Sequence, residues 1–223
     1  MSRRCGVLER GGNSHYLILM HGLWTSPADG LARCHWCEST PDYVAYHDTE
    51  WGFPVRDDRR LFEIVSLEGF QSGLSWLTIL RKREAFRRGF ANFEIEKVAR
   101  FTSCHVEKLL QDATIVRHRG KIESVINNAR RCADLIDESG SFAAYVSRYE
   151  PAAAARPRKL TWDILKTMAV TPESTALSKD LKKRGWNFVG PTTSYAFMQA
   201  MGLVNDHLHG CSVRASAERQ RSN

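Results

Sequence analysis

Two cysteine–histidine pairs stand near opposite ends of this chain of 223 residues, Cys34 with His47 and His207 with Cys211. Together they form the four-donor set that tetrahedral zinc prefers, and a chain in which all four meet is a closed loop. His207-x3-Cys211 puts two donors one helical turn apart. Cys34-x12-His47 is looser, and spacing alone is equally compatible with ordinary buried cysteines and surface histidines. Cys37, His35 and His209 are further candidates beside these positions. A site closed by four protein donors has no open coordination position. Its metal is a staple that ties the ends together and removes loop entropy from the unfolded chain.

The charge balance restricts the partners. With 32 Lys+Arg against 25 Asp+Glu the net charge is +7, and the pI of about 9.2 suits a polyanion, although a merely basic soluble protein has the same balance. Six cysteines without dense regular spacing read as reduced thiols in a cytoplasmic protein. Residues 1–30 read as a loose N-terminal extension, and a start near Leu31 would leave Arg33 to Cys211 intact. Its apolar run, Tyr16 to Met20, is too short to span a bilayer, and His15, His21 and Gly11-Gly12 spoil a signal-peptide pattern, so no membrane association is expected. Residues 212–223 are polar and basic without apolar periodicity and read as a disordered tail. Residues 31–211 remain as one domain of one compact unit or two small lobes.

Within that domain the pattern is helical almost throughout. Asp57 or Asp58 reads as a cap, followed by a stripe of Leu61, Phe62, Ile64, Val65 and Leu67. Further helices are expected over about 75–90, 94–102, 105–113, 118–137, 141–149, 175–185 and 192–203, with breaks at Asn92-Phe93 and Glu138-Ser139-Gly140. No strand ladder is apparent. Pro151 to Pro172, with its alanines and prolines, reads as a flexible or lobe-linking segment.

Two stretches carry chemistry. In residues 43–76, Tyr43, Tyr46, Trp51 and Trp76 surround one carboxylate that stands out, Glu68, which follows an apolar helical face and precedes the Gly-containing turn Phe70-Gln71-Ser72-Gly73. A carboxylate at such a position needs a partner or a purpose; the plainer alternative is a helix-end Glu held by backbone donors among core aromatics. In the second, Leu181-Lys182-Lys183-Arg184-Gly185-Trp186-Asn187-Phe188-Val189-Gly190-Pro191-Thr192-Thr193, a basic helix enters a Gly-bounded turn and leaves as an apolar helix. This reads as a helix-hairpin-helix, in which Gly185 and Gly190 shape the turn and the amides around Thr192 face a phosphate. An ordinary helix corner with a solvated Lys-Arg face is the alternative.

Four strings in order, Ala45-Tyr46-His47-Asp48-Thr49-Glu50-Trp51-Gly52, Leu67 to Trp76, Arg117-His118-Arg119-Gly120-Lys121-Ile122 and Gly202-Leu203-Val204-Asn205-Asp206-His207, resemble the bacterial 3-methyladenine DNA glycosylase I family. The similarity runs from about Arg33 to Cys211. It implies an all-α helix-hairpin-helix fold, one structural zinc ion joining the termini, and excision of 3-methyladenine from alkylated double-stranded DNA by a monomer. It makes Cys34, not Cys37, a zinc ligand together with His47, His207 and Cys211. It makes Glu68 the pocket carboxylate and Tyr46 and Trp76 pocket walls, with Trp51 and Tyr43 completing them. Gly73-Leu74 matches the loop that fills the gap left by the extruded base. The chain departs from some relatives at Phe70, at Cys37 and in the N-terminal extension. The family lacks the Asp beyond the hairpin that other helix-hairpin-helix glycosylases use, and Asp206, inside a ligand string, is expected to be structural. No lysine carries a Schiff-base motif, so the expected enzyme leaves the abasic site uncut.

Overall fold

The computed structural model describes residues 22–221. Its centre is the helix that the stripe after Asp57 foretells. The Asp57 carboxylate accepts from Arg60 N at 2.8 Å and starts α2, Asp58–Gln71, one of the four N–H groups a helix start leaves unpaired. The stripe is not one-sided: every residue from Leu61 to Phe70 is buried, because other helices cover α2 on all faces. Before it stands α1, Pro41–Thr49, with proline in the first turn. After it comes α3, Trp76–Gly89, capped by Ser75. The break expected at Asn92-Phe93 is a turn in which Ala91, Asn92 and Phe93 all have positive φ, held by packing of Phe93 into the core.

Helices α4, Ile95–Ala99, and α5, Ser103–Gln111, lead into α6, Arg119–Ser139. His118 caps α6 through Lys121 N, and Gly140 at φ 79° ends it in the left-handed conformation. Next are α7, Phe142–Ser147, α8, Trp162–Leu165, α9, Pro172–Lys183, and α10, Pro191–Ala200. One core of side chains from α2 to α7, α9 and α10 unites these helices; a smaller apolar cluster of Cys34, Leu160, Leu208, Cys211 and Val213, on which Trp162 and Leu165 of α8 pack, lies where the two ends of the described chain meet.

Four expectations change. The described part of the N-terminal extension, residues 22–30, is built into the domain: β1, Leu23–Thr25, pairs antiparallel with β2, Ala32–Cys34, in register Leu23 with Cys34. This ladder is too short to show as alternation in sequence. Residues 1–21 lie outside the described residues. The tail is not disordered over 212–221, where Arg214–Arg221 forms α11; Val213 and Ala217, four apart, are buried, and Arg221 donates to the Leu203 carbonyl and to Glu150. Residues 222–223 lie outside the description. The segment from Pro151 to Pro172 is pinned instead of linking lobes: His209 N donates to Leu160 O at 2.8 Å, and Arg156 pairs with the buried Asp206. Finally, α1 was not among the expected helices, since its buried face consists of Tyr46 and His47 instead of an aliphatic stripe.

Candidate functional site

The α1–α2 connection brings the two sets of predicted residues side by side. Tyr43 and Tyr46 project from α1, Trp51 follows it, Glu68 lies in the last turn of α2 and Trp76 opens α3. These five side chains, with Trp36, Gln71, Leu165, Ala196 and Gln199, line a cavity of about 220 Å³. That is smaller than the range for drug-sized ligands and suits one planar base rather than a whole nucleotide. The rings of Tyr46 and Trp76 lie 5.4 Å apart at 43°, and Trp36 packs against Tyr43 at 4.9 Å and Trp51 at 5.0 Å.

Trp36 was missed by sequence reasoning. Its only signal was its place two residues after Cys34, in the tight turn His35–Cys37. Leu165 and Gln199 were missed as well, because one comes from the supposed linker and the other from the far end of the hairpin's second helix.

Glu68 is 5% exposed, and its Oε2 atom has no hydrogen-bond partner. Burial alone pushes its carboxyl up to about 8. Nearby, the buried Nε1 of Trp76 also lacks an acceptor. An orphaned buried acceptor and an orphaned donor each cost about 1–3 kcal/mol, and both belong to residues that line this cavity. The helix-end alternative for Glu68 is set aside, since no backbone donor holds this side-chain oxygen. Burial pushes Tyr43 up to about 12, keeping its phenol neutral.

Behind the pocket, the ligand atoms of Cys34, His47, His207 and Cys211 all lie within 4.8 Å of one another, and all four residues are buried. Their chemistry fits a tetrahedral divalent metal. His47 Nδ1 donates to Asp48 Oδ1 at 2.7 Å, and His207 Nε2 donates to the Trp51 carbonyl at 2.9 Å. The remaining nitrogens, His47 Nε2 and His207 Nδ1, therefore point lone pair toward lone pair at 3.1 Å, an arrangement that is repulsive unless a cation lies between them. Cys211 Sγ stands 3.6 and 3.7 Å from the same nitrogens, near the roughly 3.3–3.8 Å edges of a tetrahedron with metal bonds of about 2.0–2.3 Å. Cys37 is not in the cluster; its thiol donates to Cys34 O. His35 is engaged by the Gly22 carbonyl.

An outer layer orients these donors. Arg33, buried, holds Asp48 through Nε and Nη2 at 2.8–3.0 Å and grips Asp29 with its other edge. The hairpin from Gly22 to Cys34 thus braces the carboxylate that fixes the His47 tautomer. Asp206 is saturated by Tyr195 at 2.6 Å, Gln199 at 2.8 Å and Arg156, consistent with its expected structural part. Gly202, in the same string, has φ 72°, and a Cβ there would lie 2.3 Å from the Phe53 carbonyl carbon; only glycine lets these two loops close behind the pocket.

The predicted DNA-facing residues lie on the surface around the pocket. Gly73, at φ 82°, turns the chain between α2 and α3 and presents Leu74, 42% exposed. Helices α9 and α10 flank a tight turn where the sequence reads as a helix-hairpin-helix, with Gly185 at φ 84°, Gly190 as the N-cap of α10 and Thr192 exposed in its first turn. Phe188 of this turn lies over Gly69, where an added Cβ would be 3.4 Å away, so the hairpin packs against α2 at the residue after Glu68.

Known proteins share this fold. The methyladenine glycosylase family model matches residues 36–215. DNA-3-methyladenine glycosylase 1 of Escherichia coli is 47% identical over 181 residues, 81% of this chain and 96% of that protein. A crystal structure of a 3-methyladenine DNA glycosylase I, 47% identical, superposes with a TM-score of 0.73 over 81% of this chain and 98% of its own. The Staphylococcus aureus 3-methyladenine DNA glycosylase I, studied for its recognition of 3-methyladenine, is 37% identical with a TM-score of 0.74, covering 82% and 96%. By sequence and by fold, this chain belongs to the methyladenine glycosylase family.

Proposed function

We propose that the chain is a base-excision repair enzyme that hydrolyses the N-glycosidic bond of 3-methyladenine in alkylated double-stranded DNA. The observation that carries this reading is the unpartnered Glu68 carboxyl, beside the unpartnered Trp76 N–H, in an aromatic-walled cavity of base size. Methylation at N3 leaves adenine cationic in DNA and weakens its bond to C1′. Rings of Tyr46, Trp76, Trp36 and Trp51 attract such a cation through their faces, and Glu68 accepts from its amino edge. Normal adenine, neutral, gains less from both. The base reaches the cavity by leaving the stack, at a cost of a few kcal/mol that damage reduces, and Leu74 takes its place in the duplex. The hairpin holds the phosphate backbone by the amides near Gly190 and Thr192.

In the reaction the C1′–N9 bond breaks and the bonding pair leaves with the base, which departs neutral. Water forms the new C1′–O bond and loses its proton to solvent. The developing oxocarbenium character is stabilised by nearby negative charge, including the DNA phosphates. Among the described residues no lysine lines the cavity, in keeping with a monofunctional enzyme that leaves an abasic site.

Cys34, His47, His207 and Cys211 would hold one zinc ion. With four protein donors it supplies no Lewis-acid chemistry to the substrate and acts structurally. No described helix is long and apolar enough to cross a membrane, and the reading includes a cytoplasmic monomer. Incubation with methylated duplex DNA, followed by chromatography of released bases, tests the proposal. Release of 3-methyladenine with 7-methylguanine retained is expected. Release of several alkylated bases would point to a looser pocket, and release of none by folded, zinc-loaded protein would refute the enzymatic reading.

A further inference from the structure

The string Arg117 to Ile122 has no part in the pocket or in the metal cluster, yet it begins the longest helix, α6. Lys121 in its first turn is a buried lysine, 6% exposed. Its Nζ donates to Phe70 O at 2.9 Å and to Ser72 O at 2.5 Å. These are carbonyls that the C-terminus of α2 leaves without helical partners, and a cation there also complements the helix dipole. They flank the turn from which Gly73 and Leu74 project.

Two turns further along α6, Asn128 closes a two-way pair with the hairpin: its Nδ2 donates to Asn187 O at 2.9 Å and its Oδ1 accepts from Asn187 N at 2.9 Å. Asn127 Nδ2 adds a bond to Gly185 O at 2.8 Å. At 1.5 Å rise per residue, the seven steps from Lys121 to Asn128 span about 10 Å of rigid helix. Both surface loops expected to touch DNA are therefore held by polar bonds to one ruler.

We propose that α6 sets the distance between the wedge loop and the hairpin, and that Lys121 is a positioning residue that aims Leu74 at the gap left by the extruded base. The inference rests on the proposed excision activity and goes beyond it by assigning work to a side chain that touches neither base nor phosphate. Lys121 acts on insertion, not on the pocket, so its removal separates two quantities that a general loss of structure would lower together. When the ammonium is lost the exposed Ser72 carbonyl can turn to water while the buried Phe70 carbonyl is left unpaired, and the wedge then becomes mobile.

Lys121→Met preserves the apolar stem and removes the two bonds. With methylated duplex, kcat/KM is expected to fall about tenfold to 100-fold, the scale of a misplacement near 1 Å. Affinity for free 3-methyladenine, read by quenching of tryptophan fluorescence, should stay within about twofold, because Tyr46, Glu68 and Trp76 are unchanged. In a double-mutant cycle, Lys121→Met should add almost nothing to the loss caused by Leu74→Ala. Lys121→Arg, which keeps the charge but not the compact two-carbonyl geometry, should show the same split and serves if the methionine variant is unfolded. An unchanged kcat/KM, an equal loss of free-base affinity, or losses that multiply in the double mutant would overturn the positioning role. Absence of excision by the wild-type protein would instead overturn the proposed function, and the positioning role with it.

Discussion

Replacing Glu68 with glutamine isolates the free energy stored in one ionisation. The carboxyl is buried, and burial moves it from the ordinary 4.5 to about 8. In the unfolded chain it loses its proton near 4.5; in the folded protein it keeps that proton until about pH 8. Between those values the unfolded state binds fewer protons, so the folded state loses stability as pH rises through this window, and the full penalty is present above pH 8. The displacement corresponds to about 5 kcal/mol. Roughly 1 kcal/mol of it is already felt at pH 5, and about 4 kcal/mol develops between pH 5 and pH 9. Glu68→Gln keeps the shape and removes the titration. Its own unpaired amide adds a constant that does not vary with pH, and every other titrating group is common to both proteins. Denaturant unfolding of the two at fixed zinc should therefore show wild type losing about 4 kcal/mol relative to the variant over that range, or roughly 8–16 °C in Tm for a chain of this size. A difference that stays flat with pH would refute the burial argument for Glu68. A difference that grows in the opposite sense would mean a cationic partner holds the carboxylate.

Three further outcomes follow from the same geometry. If the ionised Glu68 receives the cationic base, kcat/KM, which reports the free enzyme, should rise with pH until about 8 and level off, while Glu68→Gln gives a lower and flatter profile in the same excision assay. Asp48→Asn weakens the carboxylate that fixes the His47 tautomer and should cost about 10-fold to 100-fold in zinc affinity, measured by competition with a chelator, with secondary structure by circular dichroism unchanged. Gly202→Ala puts a Cβ against the Phe53 carbonyl at a positive φ and should destabilise by about 2–4 kcal/mol in equilibrium unfolding.

Much of the helical framework was legible because its signals are local. Asp57, Ser75, His118 and Thr171 each cap the helix that follows them, and aliphatic spacing marked α2. Elements stabilised by distant partners left no such trace. Helix α1 turns the His47 imidazole inward toward His207, 160 positions away, and the Tyr46 ring toward Trp36 and Trp76, and β1 is three residues long, held by Arg33 reaching from β2 to Asp48. Helix α11 looked like a polar tail because its anchors, Val213 and Ala217, are small and its arginines bond to carbonyls of the preceding loop. For the pocket, the motif strings supplied Tyr46, Glu68 and Trp76. Trp36, Leu165 and Gln199 come from three other segments and become neighbours only once the chain has closed.

That closure also bears on what the proposed metal would do. Cys34 lies two residues from Trp36, His47 adjoins Tyr46, and His207 accepts its tautomer from the carbonyl of Trp51, whose ring stands 4.9 Å from the His207 ring. Three pocket walls thus share backbone or hydrogen bonds with three of the four ligand residues. Losing a staple that merely constrained the unfolded chain would lower stability and leave each folded molecule with an intact pocket. Losing a staple bonded to the walls should lower stability and also loosen the pocket. Removal of zinc with a chelator, under conditions where circular dichroism shows the helices retained, should weaken binding of free 3-methyladenine several-fold and alter the fluorescence of the pocket tryptophans, because His47 and His207 repel once the cation is gone. If the metal-free folded protein binds the base as tightly as the loaded one, the two sites are neighbours without mechanical connection, and the ion stabilises the fold alone.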